Sequence, residues 1–345
     1  MRYFLSILFR LGAKQFFWFL FWGLHFPLCG QDAHFSQFYA APLSLNPALV
    51  GLSPDARFAF NFRSQWPKLP GEFVSYQLAY DQGFAENRNG LGLLLQLDRA
   101  GSAGVRSLNA QVIYAYTLAF EQFAIRAGLS LGYGNRNLDY FQLVFGDQLT
   151  GLGLNGQPTQ ENGLENINVN YWEVGTGLLF YTEKFWFGVA GHHLNQPNQS
   201  LGNDNDPLPR KISVQAGYKF IRYRPGRNRR DGYDFALMPA VYYRQQGSFR
   251  QLDLGANVFL SPVIFGLWYR GVPVSQSYNG ALVAMSGFKY QGFRFLYSYD
   301  LPMGRFASAT GGAHEISLAL QLGEWEKKRR YRPRYKVPVF PDWVN

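Results

Sequence analysis

The sequence predicts an all-β fold: a transmembrane, antiparallel outer-membrane β-barrel of fourteen strands, preceded by a short non-barrel N-terminal segment. Three observations predict it. Runs of about ten residues alternate apolar with polar or small side chains and are separated by turn residues, the pattern of a strand with one face in lipid and one in the lumen. Of 345 residues only 16% are charged, while 18% are aromatic and 37 are glycine. That is charge-poor for a water-soluble domain and glycine-rich for a helical one. A mean hydropathy of −0.19 excludes a helical membrane protein. It does not exclude a barrel, whose two faces average out. Third, the connections between runs alternate in length.

Residues 1–30 read as a signal peptide. Arg2, Arg10 and Lys14 supply a basic start and residues 16–28 an apolar run too short for a confident membrane span. Cleavage is expected after Gly30, although Leu28 sits where a small residue is preferred. Cys29 is the single cysteine, so no disulfide framework or thiolate metal cluster is expected.

Residues 31–54 follow as a separate segment. They are aromatic and turn-rich, and Pro42 and Pro47 prevent regular strand pairing. The segment is expected to plug the lumen, to seal the barrel's starting edge or to dock a partner, and docking is favoured.

The barrel is expected over residues 55–323. In residues 56–63, Phe58, Phe60 and Phe62 face lipid, opposite Arg57, Asn61 and Arg63. In 74–81, Val74, Tyr76, Leu78 and Tyr80 oppose Ser75, Gln77 and Asp81. Further strands are read at 91–98, 108–120, 123–133, 169–181, 185–193, 211–220, 233–244, 251–260, 263–270, 281–290, 293–300 and 314–322. With a periplasmic start, even-numbered connections are periplasmic turns. Those at 121–122, 182–184, 261–262 and 291–292 are all short, whereas the odd ones include the two longest loops, 134–168 and 194–210. One miscounted strand would break that parity. Arg57, Arg63, Asp98, Arg126, Arg244, Asp253, Arg270, Arg294, Asp300 and Glu315 are predicted to point inward, either lining a pathway or pairing to close it.

Two basic segments share the periplasmic side by the same count. Residues 222–232 hold five arginines, Arg227, Arg229 and Arg230 among them, against Asp231. The tail, 324–345, holds seven basic residues, including Lys327, Lys328, Arg329 and Arg330, against three acidic ones. Each nets +4, together +8 of the chain's +10. They predict a basic periplasmic face for an acidic protein or anionic headgroups. An exported barrel makes nucleic acid an improbable partner.

No catalytic constellation is present: no G-x-S-x-G elbow, no H-E-x-x-H and no Walker A sequence. The chain is therefore expected not to be an enzyme, and no cofactor is expected. His192 and His193 are adjacent, so strand geometry would point them to opposite faces as poor joint ligands. Asn203, Asp204, Asn205 and Asp206 offer oxygen ligands but lack a distal bidentate glutamate, so no metal site is assigned.

The stretch QDAHFSQFYAAPLSLNPALVG resembles the start of the PorP/SprF family, outer-membrane proteins of the type IX secretion system of Bacteroidetes. The likeness is carried by Gln31, Asp32, His34, Phe35, Ser36, Gln37, Phe38, Tyr39, Pro42, Leu45, Asn46, Pro47, Ala48 and Gly51, continues in Arg63, Gln65, Trp66 and Pro67, and returns in GGAHEISL at 311–318. The resemblance implies a non-enzymatic barrel that assists protein secretion or gliding motility. Its implied partners are outer-membrane lipid, periplasmic secretion proteins and a secreted adhesin or other cargo. Both termini are expected in the periplasm. The rival expectation is an outer-membrane pore or transporter for small or hydrophobic solutes.

Overall fold

The computed structural model describes residues 32–322 apart from 54, 86–87, 102–103, 139–142, 151–152, 158, 161–167, 202–204, 223–234, 272–279 and 305–306. Fourteen strands form one antiparallel sheet: β1 (Arg57–Gln65), β2 (Phe73–Phe84), β3 (Asn89–Ala100), β4 (Val105–Ala119), β5 (Ala124–Asn137), β6 (Asn168–Tyr181), β7 (Phe185–His192), β8 (Lys211–Tyr218, resuming at Phe220–Arg222), β9 (Phe235–Gln246), β10 (Phe249–Leu260), β11 (Val263–Gly271), β12 (Ala281–Tyr290), β13 (Phe293–Pro302) and β14 (Ala313–Gln321). Each strand pairs with its sequence neighbours, and β1 pairs with β14, Arg57 opposite Gln321. The sheet is therefore a closed barrel with no free edge. Among the described residues no helix is long and apolar enough to cross a membrane.

Alternation decides which side chains meet lipid. Along β5, Arg126 is 0% exposed and Leu129 56% exposed, and burial switches at every residue from Ala124 to Gly134. Leu93, Val112, Leu178 and Leu267 are likewise exposed on the outer surface. Replacing Leu129 with arginine is expected to destabilise the folded barrel by about 2–4 kcal/mol if it lies near the bilayer midplane. Urea unfolding in lipid vesicles would measure this, and an unchanged midpoint would mean that this face is not in lipid.

The sheet has two ends. At the proximal end β1 begins and β14 finishes, joined by the Leu322 N–H to Ala56 carbonyl bond of 2.9 Å. The opposite, distal end carries the long connections 138–167 and 193–210. Connections at the proximal end are short at 120–123, 182–184, 261–262 and 291–292, as the parity count predicts.

The two histidines depart from expectation. β7 stops at His192, and His193 takes a φ of +55°, so strand alternation no longer applies. Both rings are buried, and His193 Nδ1 lies 2.8 Å from Glu173 Oε2.

Candidate functional site

The lumen is filled by the segment between Ala33 and Ser53. The proline-rich sequence folds as three single turns, Phe38–Ala40, Pro42–Leu45 and Pro47–Leu49. Pro42 and Pro47 each open a turn, where a missing N–H costs nothing. Asn46 caps the third by accepting the Ala48 N–H at 2.8 Å. Its amide nitrogen donates to the Leu178 and Val189 carbonyls of β6 and β7 at 3.2 and 3.3 Å.

At the distal end the segment is held by charge. The backbone N–H groups of Ser36 and Gln37 donate to the two oxygens of Glu315 at 2.6 and 2.9 Å. The Ser36 hydroxyl donates to Asp300 at 2.6 Å and accepts from Arg270 at 2.9 Å and from Arg63. Arg63 bridges Asp300 at 2.9 Å and Glu315 at 3.2 Å, and Arg270 meets Asp300 at 2.8 Å and Asp253 at 3.4 Å. All five ionic side chains are buried. Buried charges are tolerated here because each has an opposite charge within reach.

In mid-lumen the contacts are apolar. Phe38 stacks on Tyr242 and meets Trp268 edge-on, both at 4.9 Å. Leu43 and Val50 pack with Ala79, Leu94 and Ile113. Gly128 faces Pro47 so closely that an added Cβ would collide with its backbone, and Gly177 bears the same relation to the Asn46 side chain. At the proximal end Gly51 donates to Asp81 at 2.8 Å, and Arg57 pairs with Asp81 at 2.8 Å. Arg126 donates to the Val50 and Gly51 carbonyls. Gly51 has a φ of +62° and a Cβ there would lie 2.5 Å from the Gln82 carbonyl oxygen, so both conformation and space demand glycine.

Two expectations are corrected. Residues 35–51 offer no outward docking surface, because all but Tyr39 and Ser44 are buried within the barrel. Nor does the described part of the segment begin at the proximal end, where β14 finishes. Ser36 and Gln37 meet Glu315 and Arg63 at the distal end, whereas Ser53 meets Gly83 and Gln321 at the proximal end. The parity of strand ends says nothing about a segment that runs back through the lumen. Of the remaining motif residues, Asp32 and His34 are half-buried, and Gln65 accepts from Arg63 at 3.2 Å. Trp66 is exposed in the distal turn after β1, with its ring edge-on to Phe73. Gln31, Arg227, Arg229, Arg230, Lys327, Lys328, Arg329 and Arg330 lie outside the described residues, as does Asp204. Sequence reasoning missed Gly128 and Gly177. Their signal was glycine at inward-facing strand positions, where the opposing element needs room for its backbone.

Among the described residues of the distal connection after β5, hydrogen bonds gather on Asp147. Asp147 accepts the Gln160 N–H at 2.7 Å and the Thr159 hydroxyl at 2.9 Å. The Gln160 N–H holds the Asp147 carboxyl below the usual carboxylate range, with Thr159 adding to the effect.

A plugged fourteen-stranded barrel defines an architecture, and residues 29–320 match the family described as type IX secretion system membrane protein PorP/SprF. The chain belongs to this family. It is thus an outer-membrane barrel of the type IX secretion system, a membership that implies interaction with components of that system. No curated protein matches it in sequence. Among solved structures it is similar to the CymD monoaromatic hydrocarbon channel at 14% identity, covering 85% of this chain and 95% of that one, with a TM-score of 0.45. A TodX monoaromatic hydrocarbon channel mutant is 12% identical over 81% of this chain and 92% of that one, TM-score 0.45. The Acinetobacter baumannii outer membrane protein Omp33 is 8% identical over 79% and 100%, TM-score 0.42. Superpositions this loose carry nothing about what the present chain binds.

Proposed function

We propose that this PorP/SprF protein is a closed, non-enzymatic outer-membrane scaffold that docks secretion-system components or a dedicated secreted cargo, and does not work as an open pore. The observation that carries the reading is the lumen itself. A fourteen-stranded barrel has an interior too wide for strand side chains alone to fill, and residues 35–53 occupy it from end to end with buried ion pairs and close backbone packing. A barrel stoppered by its own chain acts through its two rims.

In this reading the proximal rim faces the periplasm. Two strands end at that rim, β8 at Arg222 and β14 at Gln321, and in the sequence the basic residues 222–232 and 324–345 follow them. These two segments together net +8, which favours an acidic protein surface by long-range attraction. Removing residues 324–345 is expected to leave the barrel inserted and heat-modifiable on gels while abolishing recovery of secretion partners in gentle-detergent pull-downs and stopping cargo export. Unchanged partner recovery and export from the truncated chain would refute docking through the tail.

A further inference from the structure

The outer surface changes character at the distal end of β3–β6. In the alternation that exposes Leu97 and Leu108, Arg99 and Arg106 come next toward the rim, and both are exposed. They stand directly opposite each other across β3 and β4. Like charges so placed repel. Among the described residues neither side chain has an ion pair or a hydrogen bond, and strand alternation turns Asp98 toward the lumen. The row continues in amides. Arg106 is opposite Asn137 of β5, Asn137 is opposite Asn168 of β6, and Asn135 is opposite Asn170. Asn135 donates to Asn168 and Asn170, both at 2.6 Å, and Asn137 donates to Asn135 at 3.3 Å. A carboxamide donates and accepts more than once, so this ladder keeps capacity for further hydroxyl groups. Just deeper on the same face, Tyr133 and Trp172 are opposite each other, their rings edge-on at 5.2 Å. Such aromatic pairs mark the level at which acyl chains meet headgroups.

We propose that this patch binds a phosphorylated glycolipid of the surrounding outer leaflet. Its phosphate lies between Arg99 and Arg106, and its sugar lies along the asparagine ladder. Guanidinium groups grip phosphate through paired, charge-assisted hydrogen bonds, and an anion between the two arginines relieves their repulsion. Leu97 and Leu108, opposite each other immediately beneath, receive the acyl chains. The chain is an outer-membrane barrel, so lipid is what covers this face. An acidic protein would have to displace that lipid from the leucines to reach the pair. The assignment rests on the orientation given above, with the proximal rim in the periplasm and the distal end in the outer leaflet. It does not depend on which partners the rims engage.

Purified, delipidated full-length barrel is titrated with lipid A and with the same lipid A stripped of phosphate, and bound lipid is counted by native mass spectrometry. The parent is expected to bind lipid A saturably and the dephosphorylated lipid roughly tenfold more weakly. Arg99→Gln combined with Arg106→Gln is expected to weaken lipid A roughly tenfold and to leave the dephosphorylated lipid unchanged. Heat-modifiability on gels checks that the variant is folded. Asn168→Ala combined with Asn170→Ala is expected to weaken both lipids. A parent that does not distinguish the two lipids, or a folded arginine variant that still does, would overturn the site and leave the orientation standing. Orientation has its own readout. Leu154 is exposed in the distal connection after β5. Leu154→Cys is expected to react with a membrane-impermeant maleimide on whole cells, with the parent chain as control. Reaction only after the outer membrane is opened would reverse the orientation and overturn the outer-leaflet source, whatever the titration gives.

Discussion

Replacing Arg63 with alanine is expected to destabilise the barrel by about 3–5 kcal/mol, the usual cost of stranding a buried charge. Arg63 is 4% exposed and Glu315 0% exposed, so water cannot replace the lost partner. Asp300 keeps Arg270 at 2.8 Å, but Arg63 is the cation that pairs with Glu315. Glu315 also holds the Ser36 and Gln37 N–H groups, so its disturbance reaches the lumen-filling segment directly. Equilibrium unfolding in lipid vesicles measures the loss. Pairing Arg63→Met with Glu315→Gln is expected to recover much of it, since both charges then leave together. An Arg63→Ala midpoint indistinguishable from the parent would show that this cluster is hydrated and does not hold the lumen closed.

Gly128→Val is expected to convert a silent barrel into a conducting one. The Cβ of any side chain at 128 collides with the Pro47 backbone, which is pinned by the Asn46 cap and by the two bonds from Asn46 to β6 and β7. Overpacking of this kind costs about 1–3 kcal/mol at a site able to shift, and here the shift available is retreat of the segment from the wall. Adding Gly177→Val removes the adjoining seat of Asn46. In planar bilayers the parent is expected to show no unitary steps and the double variant frequent ones. Proteolysis should cut residues 38–50 in the variant and spare them in the parent. A variant that stays silent with the segment protected would show that the wall yields, and the segment stays.

How much of this was legible beforehand follows from the range of the interactions. The fourteen strands are visible because alternation is local: Phe58 or Leu129 declares its face through neighbours one and two residues away. The inward charges Arg63, Asp300 and Glu315 were visible for the same reason. Their pairing was not, since alternation gives a face and no partner. His193 was misread because its left-handed turn breaks the alternation just where the strand ends.

The N-terminal segment marks the boundary between the two kinds of knowledge. Its sequence by itself excluded strand pairing, through Pro42 and Pro47, and carried the family likeness. It could not choose between plug and docking surface. No period runs through these residues, and what holds them lies far along the chain: Ser36 bonds Asp300 across 264 residues and Gln37 bonds Glu315 across 278. Only closure of β1 against β14 brings those partners into one lumen. The sequence therefore determined the wall, because each residue of a strand chooses between lipid and lumen locally. Tertiary structure decided what fills the wall, because a lumen exists only once the ring is closed.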